Sequence, residues 1–231
     1  LALLELYQKQ KPDWLKEFIL LTLEQMATRG LHDAIGGGFF RYTVDPDWNT
    51  PHFEKMLYTN AGLARLYARA YEVFGRVEYL AVAEETVDFM LREMRLPNGG
   101  FASALSADDS EGVEGGSYLW EPEEISQTLT PAQWRRLGQV AQLLDVEGQV
   151  LPAAQLMGSS WDDVRQRLYQ KRRRNPPPVD AKLLPSWNGY VLSALADLVR
   201  LSGSRRYRLA GEQLYELLLE QYRQGLYRTA Q

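Results

Sequence analysis

Both histidines of the chain, His32 and His52, stand in one stretch from Arg29 to Asn60 that also carries Arg41, Tyr42, Asp45, Trp48 and Glu54. An imidazole two residues from a carboxylate can move protons near neutral pH, which makes His52 and Glu54 the first candidates for chemistry. A second acidic run, Asp108-Asp109-Ser110-Glu111 continuing to Glu114, follows Gly99-Gly100-Phe101. Two carboxylates facing each other across a groove can act as acid and base on a glycosidic bond. Glu54, Asp108, His52 and Asp109 are therefore the candidate catalytic residues, against a competing reading of 108–114 as a solvated acidic turn. No metal or cofactor is expected. The histidines lack the i, i+4 spacing of a zinc site, and the acidic run misses the spacing of an EF-hand loop.

Trp48, Trp120 and Trp187 lie in or beside the same loops, with Tyr42 and Tyr118. Flat aromatic faces suit the apolar C–H faces of sugar rings, so the expected ligand is a sugar or glycan. The candidate binding residues are Arg41, Tyr42, Asp45, Trp48, Asn60, Trp120, Trp187 and Asn188. Asn60 and Asn188 also read as structural amides. The run Lys171-Arg172-Arg173-Arg174 reads first as cations favourable at a helix C-terminus, and second as an anion site.

The elements that must position these residues repeat. Aligning Gly75 with Gly203 superimposes Asn60 on Asn188, Tyr79 on Tyr207 and Glu84 on Glu212 without a gap. Each copy predicts a helix, a one-glycine turn and a return helix. The first helix of copy one is predicted to start at Thr50-Pro51, with its stripe through Met56, Asn60, Leu63, Tyr67, Ala70 and Phe74, and its return helix to reach about Arg95. Copy two is predicted to start at a Ser186 cap and to return through Leu209, Leu214, Leu217 and Leu218. A further helix after Pro12 shows Trp14, Leu15, Phe18, Ile19, Leu21 and Met26, and Leu1, Leu4 and Tyr7 mark the tail of an earlier one. The segment 121–174 is predicted to be a helical excursion inserted in a loop, with helices from Pro122, from Thr130-Pro131 to Leu144, and from Ser160 to Leu168.

Short turns at Gly75 and Gly203 alternate with long connections, so the long ones gather at one end of the helices, where sites usually lie. Gly36-Gly37-Gly38-Phe39, Gly99-Gly100-Phe101 and Gly225-Leu226-Tyr227 predict small hairpins there. The fold class read from this pattern is all-α, part of an (α/α)6 toroid with short β-hairpins in the loops at one end. A solenoid of helix pairs is the competitor.

The 231 residues, 45% of them hydrophobic, can bury a substantial core, and the net charge of -4 gives no footprint for nucleic acid. No apolar run approaches the roughly 20 residues of a membrane span. With no cysteine, disulfides and thiol chemistry are excluded, and a reducing, cytoplasmic setting is expected. A chain that opens on Leu1 inside a helix reads as a piece of a longer protein.

Gly36-Gly37-Gly38-Phe39, Arg41-Tyr42, Asp45, Trp48, the run from Pro51 to Tyr58, Asn60-Ala61, the stretch from Ser103 to Trp120 and Ser186-Trp187-Asn188-Gly189 together resemble the thioredoxin-domain-containing family of spermatogenesis-associated protein 20. The resemblance implies a toroid akin to six-hairpin glycosidases and N-acylglucosamine epimerases, and a thioredoxin-like domain in the full-length protein. Thr59 stands where the family usually has aspartate, Ser106-Ala107-Asp108-Asp109 replaces an Asp-Ala-Asp arrangement, and His32 sits where tyrosine is common. Two functions follow as expectations. One is a carbohydrate-acting domain, hydrolase-like or epimerase-like, in which Glu54 or Asp108 donates the proton, the other or Asp109 is the base, and His52 assists. The other is a non-catalytic ligand-binding or scaffold module of a thioredoxin-domain protein.

Overall fold

The computed structural model describes residues 1–155, 157, 161–172 and 174–225. The helix start expected at Ser160, Arg173 of the basic run, and Leu226-Tyr227 of the last glycine motif lie outside the described residues. In chain order the elements are α1 (Ala2–Gln10), α2 (Asp13–Thr28), β1 (Tyr42–Thr43), β2 (Pro51–His52), β3 (Lys55–Met56), α3 (Leu57–Phe74), α4 (Val77–Phe89), β4 (Ala104–Leu105), α5 (Pro122–Thr128), α6 (Pro131–Val140), β5 (Ala141–Val146), β6 (Gln149–Ala154), α7 (Asp162–Arg172), β7 (Val179–Asp180), α8 (Pro185–Ser202) and α9 (Arg205–Gln224). The chain is mostly helical, with short strands, and divides into two compact units.

The first unit takes Lys55–Leu105 and the residues from Val179 on, together with Leu1. Its framework is the two glycine-turned hairpins. α3 ends at Gly75 (φ 68°) and α8 at Gly203 (φ 66°), and each glycine N–H closes the last turn onto a carbonyl four residues back. A left-handed residue is needed at both positions, and glycine adopts it without a Cβ clash. α3 packs on α4 and α8, and α8 on α9. The buried positions of α3 are Leu57, Asn60, Ala61, Ala64, Tyr67, Ala68 and Ala70, which keep Asn60, Tyr67 and Ala70 of the expected stripe while Leu63 and Phe74 are half-buried. Leu209 of α9, expected inside, is 45% exposed, while Tyr207, Ala210 and Leu214 carry the contact. α4 runs into a π-helical turn, Met90–Met94, before Arg95 leaves the helix.

The expected helix start at Thr50-Pro51 is corrected. Pro51 and His52 form β2, Lys55 and Met56 form β3, and α3 begins at Leu57. Proline suits the first helical turn and a strand edge equally, and here Leu105 pairs with Lys55 while Leu57 N–H donates to Ser103 O at 2.9 Å, so the chain stays extended to Met56. The Ser186 cap shifts likewise: Leu184 is the cap and Pro185 opens α8. β3, β4 and β7 make a three-stranded antiparallel sheet between connectors that enter α3, leave α4 and enter α8. All three connectors therefore meet at the end of these helices away from Gly75 and Gly203.

The second unit takes Ala2–Glu54 and Ser106–Pro178. α2 turns Leu15, Ile19, Leu23 and Met26 inward, whereas Trp14, Phe18 and Leu21, expected on the same face, are 67%, 52% and 59% exposed. In the 121–174 segment the helix predicted to reach Leu144 stops at Val140, and β5 and β6 form a six-residue antiparallel hairpin. Leu137, Val140 and Leu144 have helical spacing, yet Glu147-Gly148 at φ 54° and 89° is the left-handed pair of a tight β-turn, which commits 141–154 to strands. Two apolar clusters result. Ala34, Ile35, Trp120, Ile125, Trp161 and Leu168 build one, and Phe40, Phe53, Tyr118, Leu144 and Leu151 the other.

Candidate functional site

The second unit holds the Arg29–Glu54 loop and the acidic run. β1 and β2 pair Tyr42 with His52, and their rings stack at 5.1 Å and 26°. The turn between them is stapled by Asp45. Its Oδ1 accepts the N–H groups of Asp47 and Asn49 at 3.0 and 3.1 Å, and its Oδ2 accepts that of Thr50. Burial works against charge on Asp45, but the N–H donors of Thr50, Asn49 and Asp47 outweigh it and hold the carboxyl below the usual range. Trp48 takes a left-handed backbone (φ 64°) in this turn, and its carbonyl accepts Gly30 N–H at 2.7 Å. A Cβ on Gly30 would lie 2.1 Å from Asn49 O, so glycine is required for that contact.

His52 sits at the centre of a charged cluster. Its Nδ1 lies 2.7 Å from Glu114 Oε1, its Nε2 lies 3.9 Å from Glu54 Oε2, and Arg41 donates to the same Glu54 oxygen at 2.8 Å. Glu114 is placed to accept from Nδ1 and so to orient the ring, with Nε2 on the side of Glu54. The group is half-open to solvent: the side chains of His52, Glu54, Arg41 and Glu114 are 27%, 24%, 43% and 53% exposed. Four of the predicted residues, Arg41, Tyr42, His52 and Glu54, are thus brought together, and Glu114, quoted only as the end of the acidic run, joins them. Its 62-residue separation from His52 leaves no local signal.

The two aspartates of that run part company. Asp108 is exposed and pairs through its backbone with Glu114. Asp109 is buried, and its Oδ1 accepts the N–H groups of Glu111 and Val113 at 2.9 and 3.0 Å while Asn175 donates to its Oδ2 at 3.0 Å. The main-chain donor of Val113, then Asn175 and the Glu111 N–H, hold the Asp109 carboxyl below the usual range. Its geometry is that of a loop staple.

Beneath the cluster, Phe53 stacks on Tyr118 at 5.9 Å and 13°, and Phe40 meets both rings edge-on. The Arg172 guanidinium lies 5.2 Å over Tyr118 and makes a two-pronged pair with Asp33 at 2.9 and 2.8 Å. Asp33 also accepts the N–H groups of Ile35 and Gly36, and a Cβ on Gly36 would lie 1.9 Å from an Arg172 nitrogen. The glycine run thus admits the guanidinium that anchors it. Trp120 is 3% exposed and belongs to the core of this unit.

Trp187, Asn60 and Asn188 lie in the first unit. Asn60 donates to Met56 O at 3.0 Å and Asn188 to Leu184 O at 3.1 Å, the same contact in both repeats. Asn188 further holds the Gly99-Gly100-Phe101 hairpin, accepting Phe101 N–H at 2.8 Å and donating to Phe101 O at 3.1 Å. Both asparagines are fully buried. Trp187 is half-buried and meets Tyr58 edge-on at 4.8 Å.

No family model matches the chain. It is 31% identical to human spermatogenesis-associated protein 20 over an alignment of 225 residues that takes in 78% of this chain and 28% of the human protein. The mouse protein of the same name is 30% identical over 224 residues, with the same coverage. The chain therefore spans under a third of the length of the curated relatives it matches. In three dimensions it resembles a family 76 glycoside hydrolase from a bovine Bacteroides thetaiotaomicron strain, with a TM-score of 0.55 and 13% identity over 94% of this chain and 32% of that one. It also resembles the cellobiose 2-epimerase of Spirochaeta thermophila, with a TM-score of 0.51 and 19% identity over 92% of this chain and 39% of that one. At such identities the likeness is one of fold, and that fold is the α/α toroid of glycosidases and epimerases.

Proposed function

We propose that this chain, a homologue of the spermatogenesis-associated protein 20 family, is a carbohydrate-acting domain whose proton transfer centres on His52. The observation that carries the reading is the placement of one imidazole between two carboxylates, Glu114 on Nδ1 at 2.7 Å and Glu54 beyond Nε2 at 3.9 Å. An imidazole oriented by a carboxylate on one nitrogen offers the other as general base, and a second carboxylate within reach can take the complementary role. Arg41 offsets the charge of Glu54, and Tyr42, Asp45 and Trp48 form the adjoining sugar-holding edge. Asp108, exposed beside Glu114 in the same run, is the further carboxylate a hydrolytic variant would draw on, and Asp109 acts through the loop it staples. Trp187 is proposed as an aromatic ligand contact of the first unit by itself, whereas Asn60, Asn188 and Trp120 serve the frame. The 121–174 segment is proposed as an insertion in a loop of the toroid. The absence of cysteine supports a cytoplasmic setting.

The test is a panel of mono- and oligosaccharides assayed for reducing-end release and for inversion at a sugar carbon. Wild-type turnover that falls by roughly 10²–10⁴ in His52→Gln, with ligand affinity retained, is the expected result. The second reading, a binding or scaffold module for a thioredoxin-like domain, rests on the share of the relatives, under a third, that the chain spans. Ligand binding without turnover, unchanged in Glu54→Gln and Asp108→Asn, would favour that module and sink the catalytic reading.

A further inference from the structure

We propose that the second unit carries an oxyanion-binding pocket, separate in its residues from the His52 cluster and independent of the function proposed above. A cavity of about 280 Å³ opens beside the C-terminus of α7, lined among others by Ser117, Trp120, Lys171, Arg172 and Arg174. With roughly 30 Å³ per water molecule, it has room for a small ion and several waters.

Two buried donors mark it. Ser117 is 2% exposed and Trp120 3%, and neither the Ser117 hydroxyl nor the Trp120 indole N–H has a hydrogen-bond partner among the described residues. Buried polar groups are rarely left so. An indole N–H can only donate, so what completes it is an acceptor. The charges around the cavity say what kind. Lys171 is partly engaged by Glu124 at 3.1 Å, and Arg172 is held by Asp33. Arg174, exposed at the rim, has no acidic partner among the described residues. With Lys171 and Arg172 each already paired, Arg174 is the cation left over among the described residues, which favours an anion over a neutral acceptor.

Cations at a helix C-terminus ordinarily answer the carbonyls left free there. Here the loop takes up two of those carbonyls itself: Arg174 N–H donates to Lys171 O at 3.3 Å and Asn175 N–H to Arg172 O at 3.0 Å. Asn175 also fixes the opposite wall through Asp109 Oδ2 and Gly116 O. Arg174 at the rim and the two inner donors behind it all lack an acceptor among the described residues, and the chemistry that would satisfy them together is a small phosphate or carboxylate group.

The 15N-labelled 231-residue chain tests this, with the Trp120 indole signal assigned through Trp120→Phe. Inorganic phosphate and glucuronate are titrated separately at constant ionic strength made up with sodium chloride. A saturable shift of the Trp120 indole signal with either ligand is expected, and the arm that saturates identifies the group as phosphate or carboxylate. Arg174→Glu should weaken that binding by roughly tenfold or more, whereas Lys182→Glu in the first unit should leave it unchanged. Should Arg174→Glu fail to fold, Lys171→Gln gives the same comparison. The pocket is refuted if neither anion gives a saturable shift, if chloride alone reproduces it, or if the charge variants bind as wild type does.

Discussion

At the scale of single residues, the informative group is Glu114. It makes the shortest contact to His52, yet it is more than half exposed, so its worth lies in orientation rather than stability. Glu114→Gln should therefore lower turnover on any active sugar by about tenfold or more while moving the melting temperature little, a split read by kinetics beside a thermal melt. Asp45 belongs to the opposite class. Its folded pKa is depressed, so the stability it lends is present above its unfolded value of about 3.9 and is lost as pH falls through the lower folded value. Melts of wild type and Asp45→Ala should differ at pH 7 and converge toward pH 3. Equal melts at pH 7 would show that the turn holds without its staple. The nearness of His52 to Glu54 was legible, because two residues of sequence suffice to place it. Glu114 and Arg172 were not, since their partners lie 62 and 139 residues away.

At the scale of elements, glycine was the most readable letter wherever a backbone angle demanded it. Gly75 and Gly203 announced their turns because few other residues accept their positive φ. Pro51 misled because its fixed φ serves a helix start and a strand edge alike. The β5–β6 hairpin was hidden by leucines whose spacing also fits a helix, and its one disclosing signal was Glu147-Gly148. Gly36 shows a glycine required by space rather than by angle. Gly36→Ala would drive a methyl group into Arg172 and part it from Asp33, both largely buried. Breaking a buried ion pair costs about 3 kcal/mol or more, so urea unfolding should show a loss of that order. A loss under 1 kcal/mol would mean that the loop moves aside.

At the scale of the molecule, neither unit is one continuous run of chain: beyond Leu1, the backbone passes between them after Glu54, after Leu105 and after Pro178. Phe40 and Phe53 come from one segment of the second unit, and Tyr118, Leu144 and Leu151 from the other, so neither segment alone completes this core. Residues 106–178 expressed by themselves should give no cooperative melt, and co-expression with 2–54 should restore one. A cooperative transition of 106–178 alone would contradict that division. The same interleaving bears on biosynthesis. A ribosome adds roughly 5–20 residues per second, so Asp33 emerges on the order of ten seconds before the arginine that neutralises it. For that interval the nascent first segment has apolar side chains without their packing partners, which makes it a natural client for chaperones that shield unfinished chains.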